Sequence, residues 1–402
     1  MRTQETHPSS GILATLALCA ALQMTGFAVF LPLFALRFES FGAGVKALSA
    51  SDMAYALTFA LAAPLVGMLA DRFGRRPLIL LSLAGQILVF VGYLFAASTW
   101  LLILLRGLAG FFAAGVLPCM VSIVGDLAPE NRRAQWVGII SGGAAVGYVV
   151  GPSLGGLLYE RLDYVAPSAV AIGMAAVALL LAVLRIRETH MPAGQPIHSP
   201  STWIHELRAL PARSTLLLVM VITFGVMLAY AFVQPQFMFY AYDDLSWTSS
   251  RLGYVMSAYA VAFMLCEFSL GQLSDRVGRK PVLVIGLALF LAQFLGLVVF
   301  YEVTWIVVSF VIAGIGNALY EPALSAMVLD IAPSEHTAGM LGLRTTAGSI
   351  GSMLGPGLVV LSASFLTPQV GFLMATALVA FLALASAWRL HVPERVEAAL
   401  PS

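Results

Sequence analysis

Apolar residues fill the chain in long blocks, separated by short polar joints. The blocks run at roughly 11–36, 49–70, 77–97, 99–124, 134–159, 163–185, 215–240, 250–272, 281–301, 303–330, 338–362 and 366–388, twelve in all. Each approaches or exceeds the ~20 residues that an α-helix needs to cross a bilayer. Lipid offers no hydrogen bonds to the backbone, so such segments are predicted to be helical. The first block is too long for a signal-peptide core and lacks a small-residue cleavage site, so it is expected to remain as a span. An even number of spans puts both termini on one side.

The joints choose the side. Fifteen of the 21 Lys and Arg residues fall in one alternating set of loops and ends, four fall in the other, and Arg106 and Arg344 lie within spans. Basic loops stay in the cytoplasm, so both termini are expected there, in a multi-pass protein of the cell (inner) membrane. The longest joint, 186–214, mixes polarities, contains several prolines and separates six spans from six. It divides the chain into an N-terminal bundle (1–185), a cytoplasmic central loop (186–214) and a C-terminal bundle (215–402). Within the loop, Trp203, Leu207 and Leu210 stand at helical spacing. They fit either a helix lying on the inner membrane surface or an ordinary linker helix.

The two halves repeat one another. "GMLADRFGRRP" from Gly67 and "GQLSDRVGRKP" from Gly271 are 204 residues apart and agree at seven of eleven positions. At the same offset Pro118 meets Pro322, Asp126 meets Asp330, Gly147 meets Gly351, and Gly151-Pro152 meets Gly355-Pro356. The chain therefore reads as a duplicated six-helix bundle. Parallel halves related by an axis along the membrane normal are a secondary-transporter architecture, with substrate held between them near mid-membrane.

Composition narrows the alternatives. Hydrophobic residues make up 60% of the chain and charged residues 10%, against about 25% charged in soluble domains. A net charge of +1 gives no basic field for nucleic acid. Cys19, Cys119 and Cys266 have no paired spacing, and the six histidines form no metal motif, so no metal or cofactor is expected. With no nucleophile–base pair and no phosphate loop, an enzyme is not expected either.

The motifs resemble the major facilitator superfamily, and within it the twelve-span drug:proton antiporters, over nearly the whole chain. "GMLADRFGRRP" is similar to that superfamily's loop 2–3 signature and "GQLSDRVGRKP" to its loop 8–9 echo. Arg106 and Gly110 resemble the family's RxxxG pattern in span four, with Ala109 where a glutamine is usual. "GYVVGPSLGG", Gly147 to Gly156, is similar to the fifth-span motif of drug exporters. The resemblance implies two pseudo-symmetric six-helix bundles (the major facilitator fold) and antiport of small molecules against protons. Many drug:proton antiporters carry an acid in span one, whereas this chain offers Gln23 and Thr25 there, and Gln234 and Gln236 in span seven. The coupling load is therefore expected in the C-terminal half.

Physical roles follow for the motif residues. Gly67 and Gly271 are expected to let helices approach closely. Asp71 is placed to meet the dipole of the helix starting near Thr337 in the other half. Arg75 can reach Asp126, and Arg279 can reach Asp330. With Asp275, these charges are expected to form the inner gate, while Arg72, Arg76, Arg276 and Lys280 serve it or act as topology signals. Gly147, Gly151 and Gly355 offer small faces for packing, and Pro152 and Pro356 permit bends.

Ionisable residues inside spans are functional candidates by default. Glu321 in "GNALYEPALS" is one, with Asn317 and Tyr320 on its side; Glu267 and Arg106 are the others. Burial of an acid in an apolar cavity favours its protonated form, so Glu321 is the candidate to load and release protons near neutral pH. It could instead be a carboxylate paired with Arg344 or Arg106. Phe27, Tyr55, Phe59, Phe232, Tyr259, Met264 and Tyr320 are candidates for a loose aromatic site, or for packing. The expected protein exports drugs or other small amphipathic compounds, cations included, by rocking of its halves. Its expected partners are that cargo, protons and lipid; nucleic acid is not among them, and it is expected to be a monomer. Export of a defined metabolite and a non-transporting scaffold remain the alternatives.

Overall fold

The computed structural model describes residues 8–129, 132–189, 214–270, 273–331 and 337–390. The expected surface helix around Trp203, most of the central loop and Gly271 lie outside these residues. Among the described residues, eleven helices are long and apolar enough to cross a membrane. In chain order they are α1 (Gly11–Glu39), α2 (Val45–Phe73), α3 (Arg75–Phe95), α4 (Thr99–Leu127), α5 (Gln135–Leu162), α6 (Val165–Arg185), α7 (Thr215–Asp243), α8 (Ser249–Leu270), α9 (Arg279–Val299), α10 (Val303–Ile331) and α12 (Pro368–Arg389). The remaining predicted span is α11 (Thr337–Ser362), a helix of 26 residues. It falls short of the apolar standard because Arg344, Thr345, Thr346, Ser349 and Ser352 interrupt it. Arg344 is tolerated there because it is buried and paired instead of standing in lipid.

Helix packing repeats between the halves. In the first, α1 packs on α5 and α6, α2 on α4, and α3 on α4 and α6; in the second, α7 packs on α11 and α12, α8 on α10, and α9 on α10 and α12. Adding six to each helix number converts one set into the other. The halves meet through α5 against α8 and α2 against α11, which are again each other's mates.

Glycine makes the closest packing possible. A Cβ at Gly151 would lie 2.4 Å from that of Ala28, and one at Gly147 would lie 2.6 Å from the Thr25 nitrogen. At the repeat positions, a Cβ at Gly355 would come within 2.7 Å of the Phe232 nitrogen, and one at Gly351 within 2.4 Å of the Phe224 oxygen. The fifth-span motif is thus the seam of α5 against α1, and its echo is the seam of α11 against α7. Pro152 and Pro356 lie inside α5 and α11.

Candidate functional site

One end of the bundle, here the basic end, carries the two repeated motifs. Gly74 and Gly278, 204 residues apart, take φ of +96° and +105° immediately before α3 and α9. This left-handed region is why the motif keeps glycine there. Arg75 pairs with Asp126 and also donates to the Ser122 carbonyl. Arg279 pairs with Asp330 at 2.9 Å and with Asp275 at 2.6 Å. Both predicted pairs are therefore made, but each lies within its own half and braces the motif against α4 or α10. Arg72 and Arg276 are exposed, as topology signals would be. Asp71 is exposed on the last turn of α2, and residues 332–336 before its expected partner helix are outside the description.

Gly67 departs from expectation. A Cβ there would meet nothing within 4 Å, so no helix approaches it closely. The tight contacts between halves lie instead toward the far end. A Cβ at Gly253 would fall 2.3 Å from the Pro152 oxygen, and one at Gly156 would fall 2.2 Å from the Ser249 oxygen. Ser153 donates to Ser257 at 2.7 Å, Ser249 to the Gly156 carbonyl at 2.9 Å, and Tyr242 to the Pro32 carbonyl at 2.5 Å.

Between these ends the two halves enclose a cavity of about 530 Å³. Tyr55, Ala56 and Phe59 of α2 face it, as do their repeat mates Tyr259, Ala260 and Phe263 of α8. Phe27 stacks on Tyr55 with centroids 5.5 Å apart. Asn317 donates to the Tyr259 hydroxyl at 2.9 Å, and Asn317 and Tyr320 both line the wall. Of the predicted aromatic set, Phe27, Tyr55, Phe59, Tyr259 and Tyr320 reach the cavity. Phe232 does not, because it is buried at the α7–α11 seam, and Met264 does not line the cavity either.

Among the described residues, two further ion pairs lie deeper inside the helices. Arg106 Nη2 donates to Asp52 Oδ1 at 2.5 Å, and both residues line the cavity. The guanidinium lies over Phe34, Tyr55 and Phe27, at 4.3, 4.9 and 5.6 Å from their ring centroids. In the other half, Arg344 Nη2 donates to Glu321 Oε1 at 2.5 Å, Nη1 to Ser325 at 2.7 Å and Nε to Thr223 at 3.2 Å. Arg344 thus joins α7, α10 and α11.

A family model described as Major Facilitator Superfamily matches residues 16–242 and 215–402. The chain belongs to the Major Facilitator Superfamily. It is 28% identical over 308 residues to a class G tetracycline resistance protein of Vibrio anguillarum, covering 75% of this chain and 77% of that one. A multi-drug resistance efflux pump PmrA homolog of Lactococcus lactis is 25% identical over 331 residues, covering 81% of each. Among solved structures, the nucleoside transporter NupG superposes with a TM-score of 0.78 at 15% identity, over 93% of this chain and 98% of that one. The chain is a multi-pass membrane transporter.

This major facilitator protein holds its intramembrane acids in three different settings. Glu321 does not line the cavity, although Asn317 and Tyr320 do. Each step along a helix turns by about 100°, and that turn points Glu321 at Arg344 of α11. Of the alternatives expected for Glu321, the structure shows the carboxylate paired with Arg344, with a half-open side chain, 36% exposed. Glu267 is exposed near the end of α8 and forms no ion pair among the described residues. Span one has no acid, as expected, but α2 of the same half brings Asp52 to the cavity.

Asp52 was legible by the same rule that flagged Glu321, although it sits only three residues inside the predicted span 49–70. The structure begins α2 at Val45, which draws Asp52 two turns into the helix. Glu188 was missed as well. It follows α6 and accepts the backbone N–H groups of Arg75 and Arg76, each at 3.0 Å, satisfying donors that the start of α3 would leave open. Its neighbour Thr189 donates to Asp126 at 2.9 Å.

Proposed function

We propose that this transporter exports small amphipathic compounds across the cell membrane in exchange for protons, by rocking of two six-helix halves. The observation that carries the reading is the aromatic cavity enclosed between the halves, with a wall repeated from α2 to α8. Pockets lined by aromatic faces with few polar groups suit amphipathic ligands of varied shape. The similarity to tetracycline resistance and multi-drug efflux proteins supports cargo of this kind. The excess of Lys and Arg at the basic end assigns that end, and both termini, to the cytoplasm. On this reading residues 1–185 and 215–402 are the moving halves, and Asp71 latches α2 to the start of α11 when the cytoplasmic end closes.

Proton coupling is assigned to Glu321. Its Oε1 is held by Arg344, while Oε2 is buried without a partner in the protein. A proton can settle on Oε2 without first displacing the guanidinium. Loss of the negative charge then loosens Arg344 and frees α11, one of the helices at the interface between halves. Growth inhibition across chemically diverse compounds, with and without the protein, tests the export reading. Resistance to several unrelated amphipathic compounds is expected, and its dependence on a proton gradient should appear in inverted vesicles. No change in tolerance or accumulation for any compound would remove the reading.

A further inference from the structure

We propose that Arg106 is a recognition site for an acidic oxygen of the cargo, so that the cavity prefers aromatic compounds bearing a carboxylate, enolate or phenolate over their uncharged forms. The inference rests on the cavity being the transport site, and it adds the chemical class of the cargo. Arg106 is only 5% exposed and pairs with Asp52; the Tyr93 hydroxyl lies beside it, yet by hydrogen-bond geometry its Nε and Nη1 are buried without a partner in the protein. A guanidinium carries five donors, and leaving buried donors unmade is costly. The rings of Phe34, Tyr55 and Phe27 fix its plane but supply no acceptor oxygen on those nitrogens.

The contrast with Arg344 makes the assignment specific. Arg344 spends Nε, Nη1 and Nη2 on Thr223, Ser325 and Glu321, which leaves it nothing comparable to offer. Arg106 lines the cavity, and the repeat mates of Asp52 and Arg106 are Met256 and Phe310, which line the opposite wall. An acidic oxygen is therefore received on one wall alone, with apolar surface facing it. Guanidinium donors suit such oxygens because charge-assisted bonds are short and directional. The aromatic rings beside Arg106 accept the flat body of the same molecule.

Equilibrium binding to the purified protein in lipid nanodiscs, with no gradient, tests this. The probes are nalidixic acid and norfloxacin, each compared with its methyl ester. In the wild type each acid is expected to bind about tenfold more tightly than its ester. Asp52→Asn frees Nη2 and should raise the acid-to-ester ratio. Arg106→Gln should bring it near unity, and Asp52→Asn with Arg106→Gln reads the same loss without stranding a buried charge. Equal binding of acids and esters, tighter binding of the esters, no binding of either, or a ratio that falls in Asp52→Asn would overturn the proposal. Because no gradient is present, loss of export with an intact acid preference counts against the transport reading alone. Export with no acid preference counts against Arg106 alone.

Discussion

In the N-terminal half Asp52 and Arg106 meet at 2.5 Å between α2 and α4, and in the C-terminal half Glu321 and Arg344 meet at 2.5 Å between α10 and α11. The first pair leaves arginine donors open, and the second leaves a carboxylate oxygen open. One is suited to receive an electron-rich group and the other to receive a proton. They are not mates under the 204-residue repeat, because Glu321 and Arg344 correspond to Leu117 and Ile140. The pairs at the basic end, Arg75–Asp126 and Arg279–Asp330, are mates. Duplication has been kept where both halves need the same bracing and seams. It has been lost at the two intramembrane pairs, to which we assign different chemistries.

The shared scaffold can be broken most severely at the glycine seams. Gly151→Leu and Gly355→Leu each push a bulky side chain into a contact where even a Cβ falls at 2.4 Å or 2.7 Å. Overpacking of this kind costs about 3 kcal/mol, so both variants should lose most of their monodisperse, detergent-extracted protein. Gly67→Leu, with nothing within 4 Å, should express normally. Tolerance of one seam substitution and not the other would mean that the repeated seams are not equivalent.

The next effect separates the halves. Glu321→Gln keeps the size of the side chain and removes the carboxylate to which coupling is assigned, so gradient-driven export of a neutral compound should fall to the background of empty vesicles. Energy-independent exchange and equilibrium binding should persist, and the pH dependence of export should flatten. Undiminished export in this variant would move coupling elsewhere, with Asp52 and then Glu267 as the acids to try.

How much of this was legible follows the same division. Long apolar blocks specified the helices, because lipid forces a helical solution on them. The repeat predicted the mated packing and both basic-end ion pairs, since residues at one offset occupy equivalent places. Glu321 and Arg106 were visible as charges in spans. Arg344 was already a candidate partner for Glu321, but Asp52 was not foreseen for Arg106, because a pairing across helices depends on rotation about each axis, and one residue changes that by about 100°. The positive φ of Gly74 and Gly278 also lay hidden, since a glycine's spacing does not reveal its backbone conformation.

Equivalence at the basic end can be sharpened by Arg75→Ala and Arg279→Ala. These side chains are 14% and 12% exposed and their acid partners are more open, so each pair contributes about 1 kcal/mol. Export should slow by about fivefold in each variant, with acid-over-ester binding unchanged. A much larger loss for Arg75→Ala would show that Asp126, which also accepts from Thr189, ties the central loop into the cycle.

The smallest effect tests how the C-terminal pair is held. Ser325 lies four residues beyond Glu321 on α10, and its hydroxyl accepts from Arg344 Nη1 at 2.7 Å. Ser325→Ala removes that acceptor while leaving the Glu321 and Thr223 bonds to Arg344. The half-buried position limits the loss to the low end for a hydrogen bond, about 0.5 kcal/mol, or about twofold in rate. The direction is informative: Arg344 then leans more heavily on Glu321, so protonation must overcome a stronger pair and proton-driven export should slow. Raising the proton concentration on the loading side should recover part of the rate. Binding of acids over esters should not change, since Arg106 lies in the other half. Vesicle export at two loading pH values, measured beside nanodisc binding, reads both quantities. A faster rate in Ser325→Ala, or a slowing that acid does not relieve, would mean that release of Arg344 from Glu321 is not the step that frees α11.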